Sequence, residues 1–395
     1  MTASPPTSQT VARLHPHRTS IFTEMSGLAI RHEAVNLGQG APDFSGPTEV
    51  LEVAVEAIRA GQNQYPPGRG IRPLREAIAE HQQRWYGLAY DVDTEICVTA
   101  GATEALTAAI VGLCEAGDEV VTFAPMYDSY AAACAIAGAQ LRTVVLNGMI
   151  GWRFDEAALR AAVTDRTRLL ILNTPHNPSG HVFDDAELAL IAELCQRHDV
   201  LVMTDEVYEH LWFDGARHRP IASIDGMRDR TLVVSSAGKT FSVTGWKVGW
   251  ACGPAVLIDA LYSAKQWMSF SNAAPMQPAI AHALRLPDAW FDSYRADYTR
   301  RREVLLGALA EHGFAARAPQ GTYFATLDVM QLGADDGLAL CRILPEEAGV
   351  AAIPVQAFYE PVDQHLGRRW IRLAFCKTDD AMREGVARLA AYRDR

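Results

Sequence analysis

Short apolar runs alternate with helical segments from about residue 95 to residue 255 of this 395-residue chain. The runs are continuous and rich in β-branched residues, as is typical of strands that are buried on both faces of a sheet. In chain order they are ICVT, EVVTF, LRTVVL, RLLILN, VLVMTD, TLVVSS and VGWACG. Strands that alternate with helices form βαβ units, which place a largely parallel sheet between two helical layers. The pattern therefore predicts an α/β fold with a mostly parallel, seven-stranded sheet.

The chain changes character after the last of these runs. Residues 275–312 are rich in helical patterns, and the longest of these ends at Gly313, a typical helix-stopping residue. Beyond it, the strand-like stretches GTYFATLDV and WIRLAFC alternate with helical segments. We therefore expect an N-terminal arm and a segment that packs with the small domain over residues 1–45, a large domain over 46–290, and a smaller α+β domain over 291–395. The opening dozen residues are polar and contain proline, which predicts a loosely attached arm.

The acidic balance of the chain bears on its partners. A formal net charge of −11 at pH 7 argues against nucleic acids and anionic membrane surfaces, because both bind basic proteins. No apolar run approaches the ~18 residues of a membrane span, and the N-terminus lacks the apolar region of a secretory signal. The seven cysteines are scattered, odd in number and without a CxxC pair, as expected for reduced thiols. We predict a cytoplasmic protein that acts on small molecules.

Polar and aromatic residues follow the predicted strands, and the carboxyl ends of parallel strands are where ligands bind in open α/β sheets. In chain order they are Gly101, Ala102, Thr103, Tyr127, Asn177, Asp205, Tyr208, Ser236, Lys239 and Lys247. Small residues at the start of a helix leave free backbone N–H groups, which suit a phosphate. Asp205 follows a buried strand directly, and its carboxylate needs a cationic partner such as a pyridinium N–H. The set fits pyridoxal 5′-phosphate (PLP) better than it fits a nucleotide.

Eight motifs give the sequence a resemblance to a known family. In chain order they are VNLGQGAPDF, NQYPPGRGIRPLREAIA, VTAGATEAL, NTPHNPSG, TDEVYEHL, SSAGKTFSVTGWKVGWACGP, VAAIPVQAF and WIRLAFCK. Over nearly its whole length the chain resembles the class I/II aminotransferases of PLP fold type I. It is most similar to the kynurenine/glutamine transaminase group and to actinobacterial N-succinyldiaminopimelate aminotransferases. The motifs are specific for the family and much less specific for the substrate.

The resemblance implies a role for the residues around the PLP ring. Lys239 would form a Schiff base with PLP and, when free, act as the general base. Asp205 would pair with the pyridine nitrogen, which keeps the ring protonated as an electron sink. Asn177 and Tyr208 would contact the ring oxygen, and Tyr127 would stack on the ring. Lys239, Asp205 and Tyr208 are therefore the expected catalytic residues.

The resemblance also implies how phosphate and substrate are held. The phosphate-binding residues would be Gly101, Ala102, Thr103, Ser236, Lys247 and, from the neighbouring subunit, Tyr65. Arg372 would bind the substrate carboxylate through its planar fork, helped by Asn177 and the backbone of Gly40. Because Tyr65 would reach the other subunit's phosphate, we expect a homodimer with shared active sites.

The expected activity is transfer of an amino group between an L-amino acid and a 2-oxo acid by a ping-pong mechanism. The alternative is a PLP-dependent enzyme of specialised metabolism that eliminates a β- or γ-substituent or forms a carbon–carbon bond. A PLP-binding transcriptional regulator is rejected, because no DNA-binding domain fits before VNLGQG and the net charge opposes DNA. His176, His181 and His210 lie near the motifs without a metal-binding spacing, so we expect no metal.

The substrate wall departs from the pattern of the relatives. Many of them have an aromatic residue after GQG, whereas this chain has Ala41. A small residue there would open space beside the substrate side chain, and Phe22, Trp267 or Phe270 would be able to refill it.

Overall fold

The computed structural model describes residues 10–395, so the predicted loose arm lies mostly outside the described residues. The strands are β1 (Val35–Asn36), β2 (Ile96–Thr99), β3 (Glu119–Ala124), β4 (Gln140–Val145), β5 (Thr167–Asn173), β6 (Leu201–Asp205), β7 (Thr231–Ser236), β8 (Gly249–Cys252), β9 (Phe324–Asp328), β10 (Val350–Ala351), β11 (Ile353–Pro354) and β12 (Trp370–Ala374). The α-helices are α1 (Ile21–Arg31), α2 (Thr48–Arg59), α3 (Arg72–Tyr86), α4 (Ala102–Leu113), α5 (Ser129–Ala137), α6 (Glu156–Ala162), α7 (Asp185–Arg197), α8 (Ala237–Thr240), α9 (Ala255–Lys265), α10 (Met276–Leu284), α11 (Asp288–Glu311), α12 (Gly337–Glu347) and α13 (Asp379–Arg393).

Strands β2 to β8 form one seven-stranded sheet in the order β2-β8-β7-β6-β5-β3-β4. They correspond to the seven apolar runs, and most of their residues are buried, so the predicted sheet is confirmed. Neighbouring strands are parallel except at β8, which is antiparallel to both β2 and β7. Five strands of the sheet lead into α-helices that pack on it, which gives the expected α/β architecture.

The reversed direction of β8 places its first residue at the edge where the other strands end. Gly249 pairs with Thr99 at the end of β2 and with Ser236 at the end of β7. A Cβ atom on Gly249 would lie 2.5 Å from the carbonyl carbon of Gly101, so only glycine fits this close approach. Lys247, two residues before Gly249, therefore lies at the carboxyl edge of the sheet.

Two small sheets lie outside the large one. Strands β11, β12 and β9 form an antiparallel sheet, and β1 pairs with β10 in a parallel pair. Helix α1 packs against α12, where Arg342 donates a hydrogen bond of 2.7 Å to Glu24. The N-terminal segment is thus bound to elements near the C-terminus.

Helix α11 crosses the predicted boundary at residue 290, because it runs from Asp288 to Glu311. Phe291 packs in one core cluster with β2 and β8, whereas Tyr298 and Leu305 pack in another with β9 and β12. The division of the chain after residues 45 and 290 stays a prediction.

The described helices and cysteines bear on the expected environment of the protein. Within residues 10–395, none of the helices is long and apolar enough to cross a bilayer. All seven cysteines are buried and free of disulfide bonds.

Candidate active site

A cavity of about 300 Å³ opens at the carboxyl edge of the seven-stranded sheet. Its wall includes twelve of the predicted site residues: Gly40, Gly101, Ala102, Thr103, Tyr127, Asn177, Asp205, Tyr208, Ser236, Lys239, Lys247 and Arg372. They come from seven separate segments of the chain. Five of these segments meet because strands of the large sheet end at this edge, and Gly40 and Arg372 come from outside that sheet.

Lys239 lies in the short helix α8, directly after β7. Its Nζ donates a hydrogen bond of 3.4 Å to the carbonyl oxygen of Gly40 and lies 6.0 Å from the ring centre of Tyr323. Burial lowers the pKa of Lys239 to about 8, and the positive charge of Arg372 acts in the same direction. An appreciable fraction of this amine is therefore neutral, and able to act as nucleophile or base, near pH 7.

Asp205 is the last residue of β6 and is 4% exposed. Tyr130 donates its hydroxyl to Oδ2 of Asp205 at 2.6 Å, and the backbone N–H of Val207 donates to Oδ1 at 3.4 Å. Burial raises the pKa of Asp205 to about 6, although these two hydrogen bonds oppose the shift. A cationic N–H in the cavity would stabilise this carboxylate, and the pyridinium of PLP would be such a group.

Arg372 is a residue of β12 and is 1% exposed. Its Nη1 donates to Oδ1 of Asn177 at 2.7 Å and its Nη2 donates to the carbonyl of Gly38 at 2.8 Å, while its Nε has no partner. Burial lowers its pKa to about 10, so the guanidinium remains charged at neutral pH. Among the described residues no carboxylate forms an ion pair with it, so a substrate carboxylate would supply the missing charge.

The opposite end of the cavity suits a phosphate. Gly101 has φ +79° and precedes α4, whose first backbone N–H groups have no acceptor within the helix. A Cβ atom on Gly101 would lie 3.0 Å from Nζ of Lys247, so the glycine leaves that ammonium free to approach. Ser236 ends β7 beside them. The hydroxyl, ammonium and helix N-terminus together match the dianionic phosphate of PLP.

Comparison with known proteins identifies the family. The family model "Aminotransferase class I and II" matches residues 32–389. This chain belongs to the class I and II aminotransferases. Such enzymes use PLP to move an amino group between an amino acid and a 2-oxo acid, so the predicted fold, cofactor and activity are confirmed.

Several relatives of this aminotransferase cover nearly its whole length. It is 50% identical to the probable N-succinyldiaminopimelate aminotransferase DapC of Mycobacterium tuberculosis, over 98% of this chain and 99% of that protein. It is 40% identical to the methionine aminotransferase of Escherichia coli, over 94% and 95% of the two chains. A solved structure of the M. tuberculosis N-succinyldiaminopimelate aminotransferase superposes with a TM-score of 0.94, at 51% identity and over 97% and 100% of the two chains.

Two tyrosines of the aminotransferase flank the cavity. Tyr127 lies edge-on to Tyr130, with ring centres 5.8 Å apart, and its hydroxyl is 3.5 Å from Oγ1 of Thr103. Tyr208 is 3% exposed, and burial raises the pKa of its phenol, which therefore stays protonated as a hydrogen-bond donor. Tyr208 also packs edge-on against Tyr323, with ring centres 5.1 Å apart.

Tyr65 lies apart from the other predicted residues. It is 84% exposed, and its ring meets Phe270 edge-on with centres 5.7 Å apart. Trp267 is also exposed, so of the three aromatic residues considered for the substrate wall only Phe22 lines the cavity. The role of Tyr65 at a neighbouring subunit stays a prediction.

The three histidines considered above take part in separate hydrogen bonds. His176 Nδ1 pairs with Ser179 Oγ at 2.6 Å, and His181 Nε2 pairs with Glu187 at 2.9 Å. His210 Nε2 pairs with His81 Nε2 at 2.8 Å in a fully buried contact.

Glu209 lies beside the paired imidazoles of His81 and His210, and ligand atoms of the three residues lie within 4.8 Å of one another. Its carboxylate accepts hydrogen bonds from Ser235 and Tyr86 at 2.6 and 2.7 Å. Nδ1 of His81 is the buried atom of this cluster that has no hydrogen-bond partner among the described residues.

Two residues that shape the site were missed in the sequence. Asn173, the last residue of β5, accepts a hydrogen bond of 2.7 Å from the backbone N–H of Asn177 and donates one of 2.8 Å to the carbonyl of Asp205. Tyr130 holds Asp205 as described above. Asn173 could have been indicated by its position as a polar residue at the end of a buried strand. Tyr130 could have been indicated by its position three residues after Tyr127.

Proposed function

We propose that Lys239 is the residue that binds PLP covalently and, once released by the substrate amine, moves a proton as general base. PLP, when bound, supplies the electron sink that allows the Cα of an amino acid to lose that proton. The lowered pKa of Lys239 supports this role, because a neutral amine can accept the proton near pH 7. The short helix α8 holds the amine beside Gly40, at the mouth of the substrate space.

We assign the remaining polar groups by their chemistry. Asp205 would hold the pyridine N–H, since its carboxylate is buried and accepts only the hydroxyl of Tyr130 and one weak backbone contact. Tyr208 and Asn177 would donate hydrogen bonds to the ring oxygen. The phenol of Tyr208 stays protonated. Oδ1 of Asn177 already accepts from Arg372, which leaves its Nδ2 as the donor. The ring of Tyr127 would cover one face of PLP.

Arg372 would clamp the α-carboxylate of the substrate, and its unpartnered Nε and missing counter-ion support this role. Gly40 would contribute its backbone, and Asn177 would steady the guanidinium. At the other end, the phosphate would be held by Gly101, Ala102, Thr103, Ser236 and Lys247.

The single observation that carries this assignment is the amine of Lys239 lying in one cavity with the carboxylate of Asp205 and the guanidinium of Arg372. The chain has only four lysines, at positions 239, 247, 265 and 377, which allows a direct test. Borohydride reduction of the PLP-loaded enzyme, followed by peptide mass mapping, should place the pyridoxyl label on Lys239. Lys239→Arg keeps a cation and should lose both the label and the visible absorption. A label on any other lysine would contradict the assignment.

We also propose that the enzyme is a homodimer. Tyr65, Trp267, Met268 and Phe270 form a group of large apolar side chains that are 44% to 85% exposed. Trp267, Met268 and Phe270 follow Lys265 in one loop. The Nζ of Lys265 holds this loop by donating hydrogen bonds of 2.7 Å to the carbonyls of Phe270 and Gly68. Rigid, exposed apolar groups of this kind support burial against a second copy.

Subunit mixing tests whether the sites are shared. Lys239→Ala and Tyr65→Ala subunits should each be weakly active alone, and mixing them should restore activity, because each hybrid would contain one intact site. Sedimentation should give twice the chain mass of 43.2 kDa. A monomer, or no recovery on mixing, would contradict the proposal. A cytoplasmic location is proposed as well, and the seven buried, unpaired cysteines support it.

A further inference from the structure

Three cationic side chains line the cavity: Lys239, Lys247 and Arg372. Under the proposed function each has a task, as covalent catalyst, phosphate anchor and carboxylate clamp respectively. Among the residues of one chain that the structure describes, no further cation lines the cavity and remains for a second carboxylate on the substrate. An ionised side chain would therefore lose its hydration in this space without gaining a partner from that chain.

Phe22, on helix α1, forms an apolar wall beside the reacting position. The centre of its ring lies 5.3 Å from the guanidinium carbon of Arg372 and 6.4 Å from the ring centre of Tyr127. These two residues mark the expected places of the α-carboxylate and of the PLP ring, so Phe22 borders the space for the substituent on Cα. Phe358 packs against Phe22, and the centres of the two rings are 5.8 Å apart.

Ala41 lines the cavity in the loop whose preceding residue, Gly40, contacts the catalytic amine. The carbonyl of Gly40 accepts hydrogen bonds from the hydroxyl of Tyr323 at 2.7 Å and from Lys239 Nζ at 3.4 Å. The carbonyl of Ala41 accepts one of 2.7 Å from Lys377 Nζ. The loop is thus held on both sides of Ala41, whose methyl group is a small part of the cavity wall. A larger side chain at position 41 would take up part of this cavity.

We propose that Phe22 and Ala41 select the side chain of the substrate, and that this aminotransferase takes as amino donors amino acids with a large, uncharged, mainly apolar side chain. The proposal rests on the roles proposed above for Lys239 and Arg372. Burial against apolar walls favours such a side chain, whereas a carboxylate in the same space finds no further cation among the described residues of this chain.

Donor selectivity is the first test, with the PLP-loaded enzyme and single-turnover absorbance. We expect kcat/KM for phenylalanine and methionine to exceed that for aspartate and glutamate by about 10-fold or more. N-succinyl-diaminopimelate is included because a relative is named for it. If it or an acidic amino acid reacts best, the side-chain proposal is wrong while the proposed function stands. If no amino acid reacts, the proposed function fails and this inference with it.

Variants locate the selectivity in the two residues. Phe22→Ala should lower the ratio of kcat/KM for phenylalanine to that for alanine by about 10- to 100-fold, and Ala41→Phe should lower it by occupying the same space. Ile30→Ala, on the exposed face of the same helix, is the matched control and should leave the ratio unchanged. A Phe22→Ala variant that slows both donors equally would show a structural role only and overturn the proposal.

A binding measurement separates recognition from catalysis. Calorimetry of the PLP-loaded protein, in which Lys239 and Lys247 are engaged by PLP, should show 3-phenylpropionate binding about 10-fold or more tightly than glutarate, because the first offers one carboxylate and an apolar body. Phe22→Ala should remove this difference, and Ile30→Ala should retain it. Equal binding of the two acids to the unchanged protein would refute the apolar selectivity.

Discussion

Replacing Arg372 by lysine should lower kcat/KM for amino acids by an amount that follows from the hydrogen bonds of the guanidinium. The guanidinium carries five N–H groups, and it uses one on Nη1 and one on Nη2 to hold Asn177 and Gly38 at 2.7 and 2.8 Å, so that each Nη keeps a second N–H for a ligand. A lysine ammonium is a point charge and cannot keep both inner bonds while it meets a carboxylate in a two-pronged geometry. Loss of one hydrogen bond to a charged group costs about 1.5–3 kcal/mol. Since ~1.4 kcal/mol is tenfold, kcat/KM should fall about 10- to 150-fold.

The assay compares a substrate with and without the carboxylate. The amine of 2-phenylethylamine matches phenylalanine except for that group, so Arg372→Lys should lower kcat/KM for phenylalanine and leave the slow reaction of the amine nearly unchanged. Arg369→Lys is the control, because the side chain of Arg369 is 46% exposed, forms an ion pair with Asp328 and does not line the cavity, so kcat/KM should change by less than about twofold. The reasoning is refuted if Arg372→Lys slows both compounds equally, or if Arg369→Lys has the same effect.

Three further predictions follow from packing and burial. Gly249→Ala should lower the free energy of unfolding in urea by about 1–3 kcal/mol, because its Cβ would lie 2.5 Å from the carbonyl carbon of Gly101. Gly245→Ala is the control, because its Cβ would meet nothing within 4 Å. Equal urea midpoints of the two variants would contradict this. Because burial lowers the pKa of Lys239 to about 8 and only the neutral amine attacks, attachment of PLP to the cofactor-free protein should accelerate up to about pH 8 and then level off. A rate that does not change between pH 6 and 9 would count against this. Burial raises the pKa of Glu209 to about 7, above the ~4.3 of an unfolded chain, so its burial removes stability as pH rises between those values. Glu209→Gln should flatten that part of the melting-temperature profile, and an unchanged slope would refute the link.

The large sheet could be predicted because strands buried on both faces must be apolar along their whole length. The runs from ICVT to VGWACG show this directly, and they became β2 to β8. Strands β1, β10 and β11 were not predicted, since two residues are too few to show any periodicity. The reversed direction of β8 was also not predicted, because an apolar run of four residues is the same in either direction.

The candidate site was predictable where its residues follow strands. Asp205 and Lys239 come directly after buried runs, so their place at the carboxyl edge followed from the parallel sheet alone. The bond from Arg372 to Asn177 joins residues 195 positions apart, and no local pattern indicates such a contact. Phe22 was one of three aromatic candidates for the substrate wall, and only the packing of α1 distinguished it from Trp267 and Phe270.

The linear chain displays an amine, a carboxylate and small and polar residues suited to bind a phosphate, all at the ends of apolar strands. Side-chain type and strand pattern are local properties, and a linear chain displays them. Folding establishes which space those groups enclose, how far burial shifts the pKa values of Lys239 and Asp205, and which side chains line the cavity. These properties depend on distances between segments that are remote in the chain, and only the folded backbone sets such distances.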